Sequence, residues 1–153
     1  WTEDFYRKTI RGRLEPVVRT VETAAENAWV EVTYLVIPGE NDSDGDIRGL
    51  TKWLSGLSPA IPLHLSRYFP NYKFSAPATP IETLERLREV AMEDLHYVYI
   101  GNSSRRGYAD TVCPECKTTL LMRSGLELEI SRLVDGACPR CGRKLEMMGE
   151  VQV

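Results

Sequence analysis

The sequence predicts an α/β fold, a parallel sheet with crossover helices, followed by a small four-cysteine ribbon. Three observations predict it. Apolar residues switch repeatedly between helical and strand spacing over the first 108 residues. Short β-branched runs end at Pro–Gly or Gly–Asn. All four cysteines fall into two Cys-x-x-Cys pairs in the segment 109–153, which is read as a second domain after 1–108.

Taken in order, a short helix is expected over residues 3–11. Leu14, Val17, Val18, Val21, Ala24, Ala25 and Ala28 then recur at helical spacing, with Pro16 in the tolerant first turn. This gives an amphipathic helix over 14–28 whose stripe should lie on a core. Residues 29–37 are β-branched and mostly apolar, which reads as a buried strand stopped by Pro38–Gly39. Ser43-x-x-Asp46 resembles a helix N-cap, and Ile47, Leu50, Leu54 and Leu57 follow at helical spacing. Ile61–Ser66 is a second strand. Thr79-Pro80-Ile81-Glu82 reads as a cap followed by proline at the first helical position, with Leu84, Leu87, Ala91 and Leu95 behind it. Residues 97–100 form a third strand. Helix and strand alternating three times implies right-handed crossovers and parallel pairing.

Ligands of parallel α/β folds bind at the C-terminal ends of strands. Three loops lie there: Pro38–Asp42, Arg67–Ala78 and Gly101–Gly107. The middle one, RYFPNYKF over 67–74, is long and aromatic, as substrate loops often are. Its aromatics equally suit a structural cover.

Net charge is −3 with a pI near 5.5, which argues against a nucleic-acid footprint. No apolar run approaches the ~20 residues of a membrane helix. The acidic start Trp-Thr-Glu-Asp lacks the pattern of a signal peptide, so a cytoplasmic location is expected. A first residue of Trp rather than Met suits a piece of a longer protein and equally a processed N-terminus.

Cys113-Pro-Glu-Cys116 and Cys138-Pro-Arg-Cys141 are 21 residues apart, the usual spacing of two knuckles that pinch one tetrahedral ion. Soft thiolates select zinc, or a single iron, over magnesium or calcium. Segments 118–123 and 126–133 would be the strands of a ribbon. Four thiolates fill every position of a tetrahedron, so the site is expected to be structural.

Several segments together resemble a known family. WVEVTYLVIPGENDS over 29–43 looks like the late-strand signature of radical S-adenosylmethionine (SAM) activating enzymes, the group that includes the pyruvate formate-lyase activating enzyme. IPLHLSRYFP over 61–70, PATPIETLE over 77–85 and YVYIGN over 97–102 resemble the radical SAM member of the AmmeMemoRadiSam group, which also ends in two Cys-x-x-Cys knuckles. The resemblance implies that residues 1–108 are the C-terminal part of a partial (β/α)6 barrel with parallel strands. It implies a full-length enzyme that binds a [4Fe-4S] cluster and SAM, cleaves SAM to a deoxyadenosyl radical and starts radical chemistry on a protein or small-molecule substrate.

It also implies site residues. A histidine near the end of the last barrel strand approaches the SAM adenine in these enzymes, and His64 matches it. Arg67 at the rim could meet a carboxylate. The strand before Pro–Gly carries a basic residue facing SAM, and the matching position here is Thr33. A satisfied core histidine and a surface ion pair are the plain alternatives for His64 and Arg67. Asn41 and Asp42 read better as turn caps than as ligands. The family's Cys-x3-Cys-x2-Cys cluster motif is not in these residues, so this chain alone is expected to be inactive. The competing reading is a non-catalytic interaction module, in which Arg105, Arg106, Arg140, Arg143 and Lys144 make the ribbon locally basic.

Overall fold

In the computed structural model, which describes residues 1–72, 74–125 and 127–146, the chain divides into two compact units between Ile100 and Gly101.

The first unit is a mixed α/β layer. Glu3–Phe5 (α1) begins at the Thr2 side chain, which accepts from the Phe5 N–H, and runs into a π-helical turn over Tyr6–Ile10. Leu14–Asn27 (α2), Val32–Val36 (β1), Asp44–Leu57 (α3), Leu63–Arg67 (β2), Ile81–Ala91 (α4) and Val98–Gly101 (β3) follow. The three strands form a parallel sheet in the order β1-β2-β3. Register pairs Val32 with Leu63, Thr33 with His64, Tyr34 with Leu65 and Val36 with Arg67.

Sequential strand order with right-handed crossovers puts both helices on the same face. The burial pattern agrees. Tyr34, Val36, Leu63, Leu65, Val98 and Ile100 alternate into a core with Ile47, Leu50 and Leu54 of α3 and Leu84, Leu87 and Ala91 of α4. The opposite face carries Glu31, Thr33, Leu35, His64, Ser66 and Tyr99 by the same alternation. It is open: Leu35 is 43% exposed. Parallel sheets are ordinarily buried on both faces, so this uncovered face is the unusual feature of the unit.

Ser43 caps α3 as expected, its hydroxyl accepting from the Asp46 N–H at 3.1 Å. The start of α4 differs from expectation. Thr79 is not the cap; Pro80 occupies that position and the helix begins at Ile81. The Thr79 hydroxyl is fully buried and used elsewhere, accepting from the Tyr68 N–H at 3.1 Å and donating to the Val36 carbonyl at 2.6 Å. It ties the loop after β2 to the end of β1. Strand β2 also starts later than expected, because Pro62 has no N–H for the ladder; its carbonyl instead accepts from Val32 N. The stripe of α2 is covered only in part: none of its residues is buried and Val17 is 37% exposed.

The second unit is a three-stranded antiparallel sheet, Thr111–Val112 (β4), Thr119–Ser124 (β5) and Glu127–Ser131 (β6), in that order. The short β4 was not expected. Leu126, the start of the expected strand over 126–133, lies outside the described residues, as do Lys73 of the aromatic loop and residues 147–153 of the expected second domain. Leu120 is fully buried beside Cys113 and Cys138, with Leu133 and Leu145 packed against them. No helix among the described residues is long and apolar enough to cross a membrane.

Candidate metal centre

The two knuckles fold by the same local rule. In each, the N–H of the first cysteine donates to the carbonyl five residues on: Cys113 to Thr118, and Cys138 to Arg143, both at 2.8 Å. Its carbonyl accepts from the N–H four residues on, from Lys117 at 3.0 Å and from Gly142 at 2.8 Å. That closure needs a left-handed residue after the second cysteine. Lys117 (φ +57°) and Gly142 (φ +77°) supply it. Glycine does so freely, whereas a lysine there costs about 1 kcal/mol. The turn directs both sulfurs of a knuckle to one side.

The four sulfurs lie within 4.8 Å of one another, and all are free thiols. The close contacts run between knuckles: Cys113 Sγ to Cys141 Sγ is 3.6 Å, and Cys116 Sγ to Cys138 Sγ is 3.5 Å. A tetrahedron of ~2.3 Å metal–sulfur bonds has edges of about 3.8 Å, so the spacing fits one ion. Burial is uneven: Cys113 and Cys138 are buried, Cys116 is half-buried and Cys141 is exposed.

Without a metal these sulfurs cannot all be ionised. The Thr118 hydroxyl, then the Thr118 backbone N–H, pull Cys116 down to about 6. The Arg143 N–H also favours the Cys141 thiolate, but lost hydration and the three neighbouring sulfurs outweigh it and push Cys141 up to about 12. The set therefore holds protons that a divalent cation would displace. Arg143, next but one to Cys141, is in ion pairs with Glu115 at 3.7 Å and Glu146 at 3.1 Å. Four soft donors and no open position describe a structural site for zinc or a similar ion.

The remaining predicted site residues sit in the first unit. His64 and Thr33 are register partners on the open sheet face. The His64 Nε2 is 2.8 Å from Glu31 Oε2, and its ring stacks on Tyr99 at 5.2 Å between centroids. His64 is the second residue of β2, not near its C-terminal end as the sequence suggested, because the strand continues to Arg67. Arg67 does end the strand, but alternation places it on the face of Leu63 and Leu65, not with His64. Its Nε donates to the Thr79 carbonyl at 2.8 Å, and its guanidinium lies 4.8 Å from the Phe69 ring centre. Asn41 is a turn-closing residue: its amide oxygen accepts from Ile37 N and its nitrogen donates to the Leu35 carbonyl. Asp42 accepts from the Gly39 N–H at 3.0 Å. Glu31 and Tyr99 were missed as neighbours of His64. The alternation that put His64 on this face could have found both.

No protein-family model matches this chain. It is 39% identical over 151 residues to "Uncharacterized protein MJ0808" of Methanocaldococcus jannaschii. The match takes in 95% of this chain and 45% of the relative, so the chain spans less than half the length of the curated protein it matches.

Proposed function

We propose that this chain is the C-terminal part of a radical SAM enzyme of the AmmeMemoRadiSam group, related to the activating enzymes, with its ribbon held by one structural zinc ion. The observation that carries the reading is the open face of the parallel sheet. Helices α3 and α4 bury one side, and the other presents Glu31, Thr33, His64, Ser66 and Tyr99 along with Leu35. A polar, uncovered face is costly for an isolated parallel sheet but suits the interior wall of a barrel that surrounds a polar ligand. More than half of the relative lies outside the match, which leaves room for the other strands.

When bound, the cluster and SAM supply the hydrogen-abstracting radical; the protein positions them and keeps the site dry. All four cysteines of this chain belong to the ribbon knuckles, so the residues present do not fit the cluster, and no step of that chemistry belongs to them. Their part is to line one side of the barrel with Thr33 and His64. The test starts with the coding sequence before Trp1. A Cys-x3-Cys-x2-Cys motif roughly 120 to 180 residues upstream, the span of the other strands at ordinary βα lengths, is expected. Anaerobic reconstitution of the longer protein should then yield SAM cleavage. A longer protein without that motif, or one that loads a cluster and leaves SAM intact, overturns the reading.

The closed four-sulfur site also favours a second reading, a zinc-ribbon interaction module on an α/β scaffold. A partner that binds the ribbon equally well when the upstream motif is mutated would support it.

A further inference from the structure

The open sheet face carries an ordered set of polar side chains that neither packing nor ordinary surface electrostatics accounts for. Trp29 donates its indole N–H to Glu31 Oε1 at 3.1 Å. The other oxygen of that carboxylate, Oε2, faces His64 Nε2 at 2.8 Å. Tyr99 stacks on the imidazole, with 5.2 Å between centroids and 30° between planes. Glu31 is 49% exposed and His64 33%. A pair this accessible contributes little to stability, since ordering two side chains offsets most of the attraction. Yet both oxygens of the carboxylate and one face of the ring are engaged.

We infer that Glu31, itself oriented by Trp29, is a positioning residue that sets His64 in the Nε2–H tautomer and leaves Nδ1 as an acceptor toward a ligand carrying an N–H or O–H donor. This rests on the reading of the open face as a barrel wall. An ionised carboxylate only accepts, so the ring nitrogen facing it must carry the proton. In a neutral ring the second nitrogen then holds the lone pair. Among the described residues Nδ1 has no hydrogen-bond partner. Tyr99 limits rotation of the ring, so the acceptor keeps one direction. Glu31 does not touch the ligand; it acts through His64.

The test uses the 153-residue chain labelled with 15N histidine, at about pH 8.5, two units above the ordinary imidazole value. His96, the other of the two histidines, is the internal control. The wild-type His64 ring should show a protonated Nε2 and an unprotonated Nδ1. Glu31→Ala should lower the Nε2–H to Nδ1–H ratio about five-fold, the ratio a hydrogen bond of ordinary net strength sets, without moving His96. Glu31→Gln, whose amide has a single accepting oxygen and cannot accept from both Trp29 and His64, should lower the ratio as well. A proton on Nδ1 in the wild type, or ring signals unmoved by Glu31→Ala, overturns the inference. In the longer protein, SAM binding by the Glu31→Ala/His64→Ala double variant should be no weaker than by His64→Ala alone, as expected of groups acting as one unit; additive losses also overturn it. If His64→Ala leaves SAM binding unchanged, the radical SAM reading of this face fails, and the ring signals still decide the role of Glu31.

Discussion

Removing the metal should unfold the ribbon and spare the α/β unit. Among the described residues of the second unit, only Thr111, Cys113, Leu120, Leu121 and Cys138 are buried. Two of these are cysteines of the candidate metal site, which leaves two leucines as the fully buried apolar core. Burying two leucines yields about 5 kcal/mol. An apolar core this small leaves the ribbon dependent on an ion that ties its two knuckles together, as in small metal-folded domains. The first unit is built otherwise: Ile47, Leu50, Leu54, Leu63, Leu65, Leu84 and Leu87 are each 0% exposed. Hydrogen exchange followed by mass spectrometry, before and after a zinc chelator, reads both units in one experiment. The amides of Cys113, Arg132, Cys138 and Gly142, all hydrogen-bonded inside the ribbon, should exchange at least about 1000-fold faster without metal, equivalent to ~4 kcal/mol of lost local stability. Amides of α3, α4 and β2 should hardly change. Cys138→Ser should give the same pattern. Unchanged protection over residues 111–144 after metal removal would refute the reasoning, as would less than about half an equivalent of zinc or iron in purified protein.

Metal affinity should fall with acid, with the sign set by the thiols. At pH 7 Cys116, lowered to about 6, is already ionised, while Cys141, raised to about 12, must lose its proton to bind. Apparent zinc affinity measured against a competing chelator should drop roughly tenfold per pH unit for each proton released, and more steeply below about pH 6, where Cys116 protonates too. Thr79→Val keeps the buried volume but strands the Tyr68 N–H and Val36 carbonyl, so urea unfolding should show the first unit weakened by about 2 kcal/mol. In the longer protein His64→Ala should weaken SAM binding or slow its cleavage about ten-fold, or ~1.4 kcal/mol; wild-type values would return His64 to a structural role.

What was legible in the sequence was what depends on neighbours along the chain. The helix–strand alternation, the Ser43 cap and the face of β2 that carries His64 are local consequences of periodicity and capping chemistry. So are the knuckles, whose closure is complete within six residues, from Cys113 to Thr118 and from Cys138 to Arg143. What the tertiary structure alone decided involves partners far apart in sequence. Thr79 looked like a helix cap because its local motif matched. In the fold its hydroxyl reaches Val36, 43 residues away, since a buried carbonyl at the end of β1 outweighs a solvent-exposed cap. Arg67 looked like a rim residue aimed at a ligand, but the strand runs one residue further than expected and alternation turns it to the other face. Alternation along each strand puts Glu31, His64 and Tyr99 on one face, but only strand pairing across 33 and 35 positions sets the register that makes them neighbours.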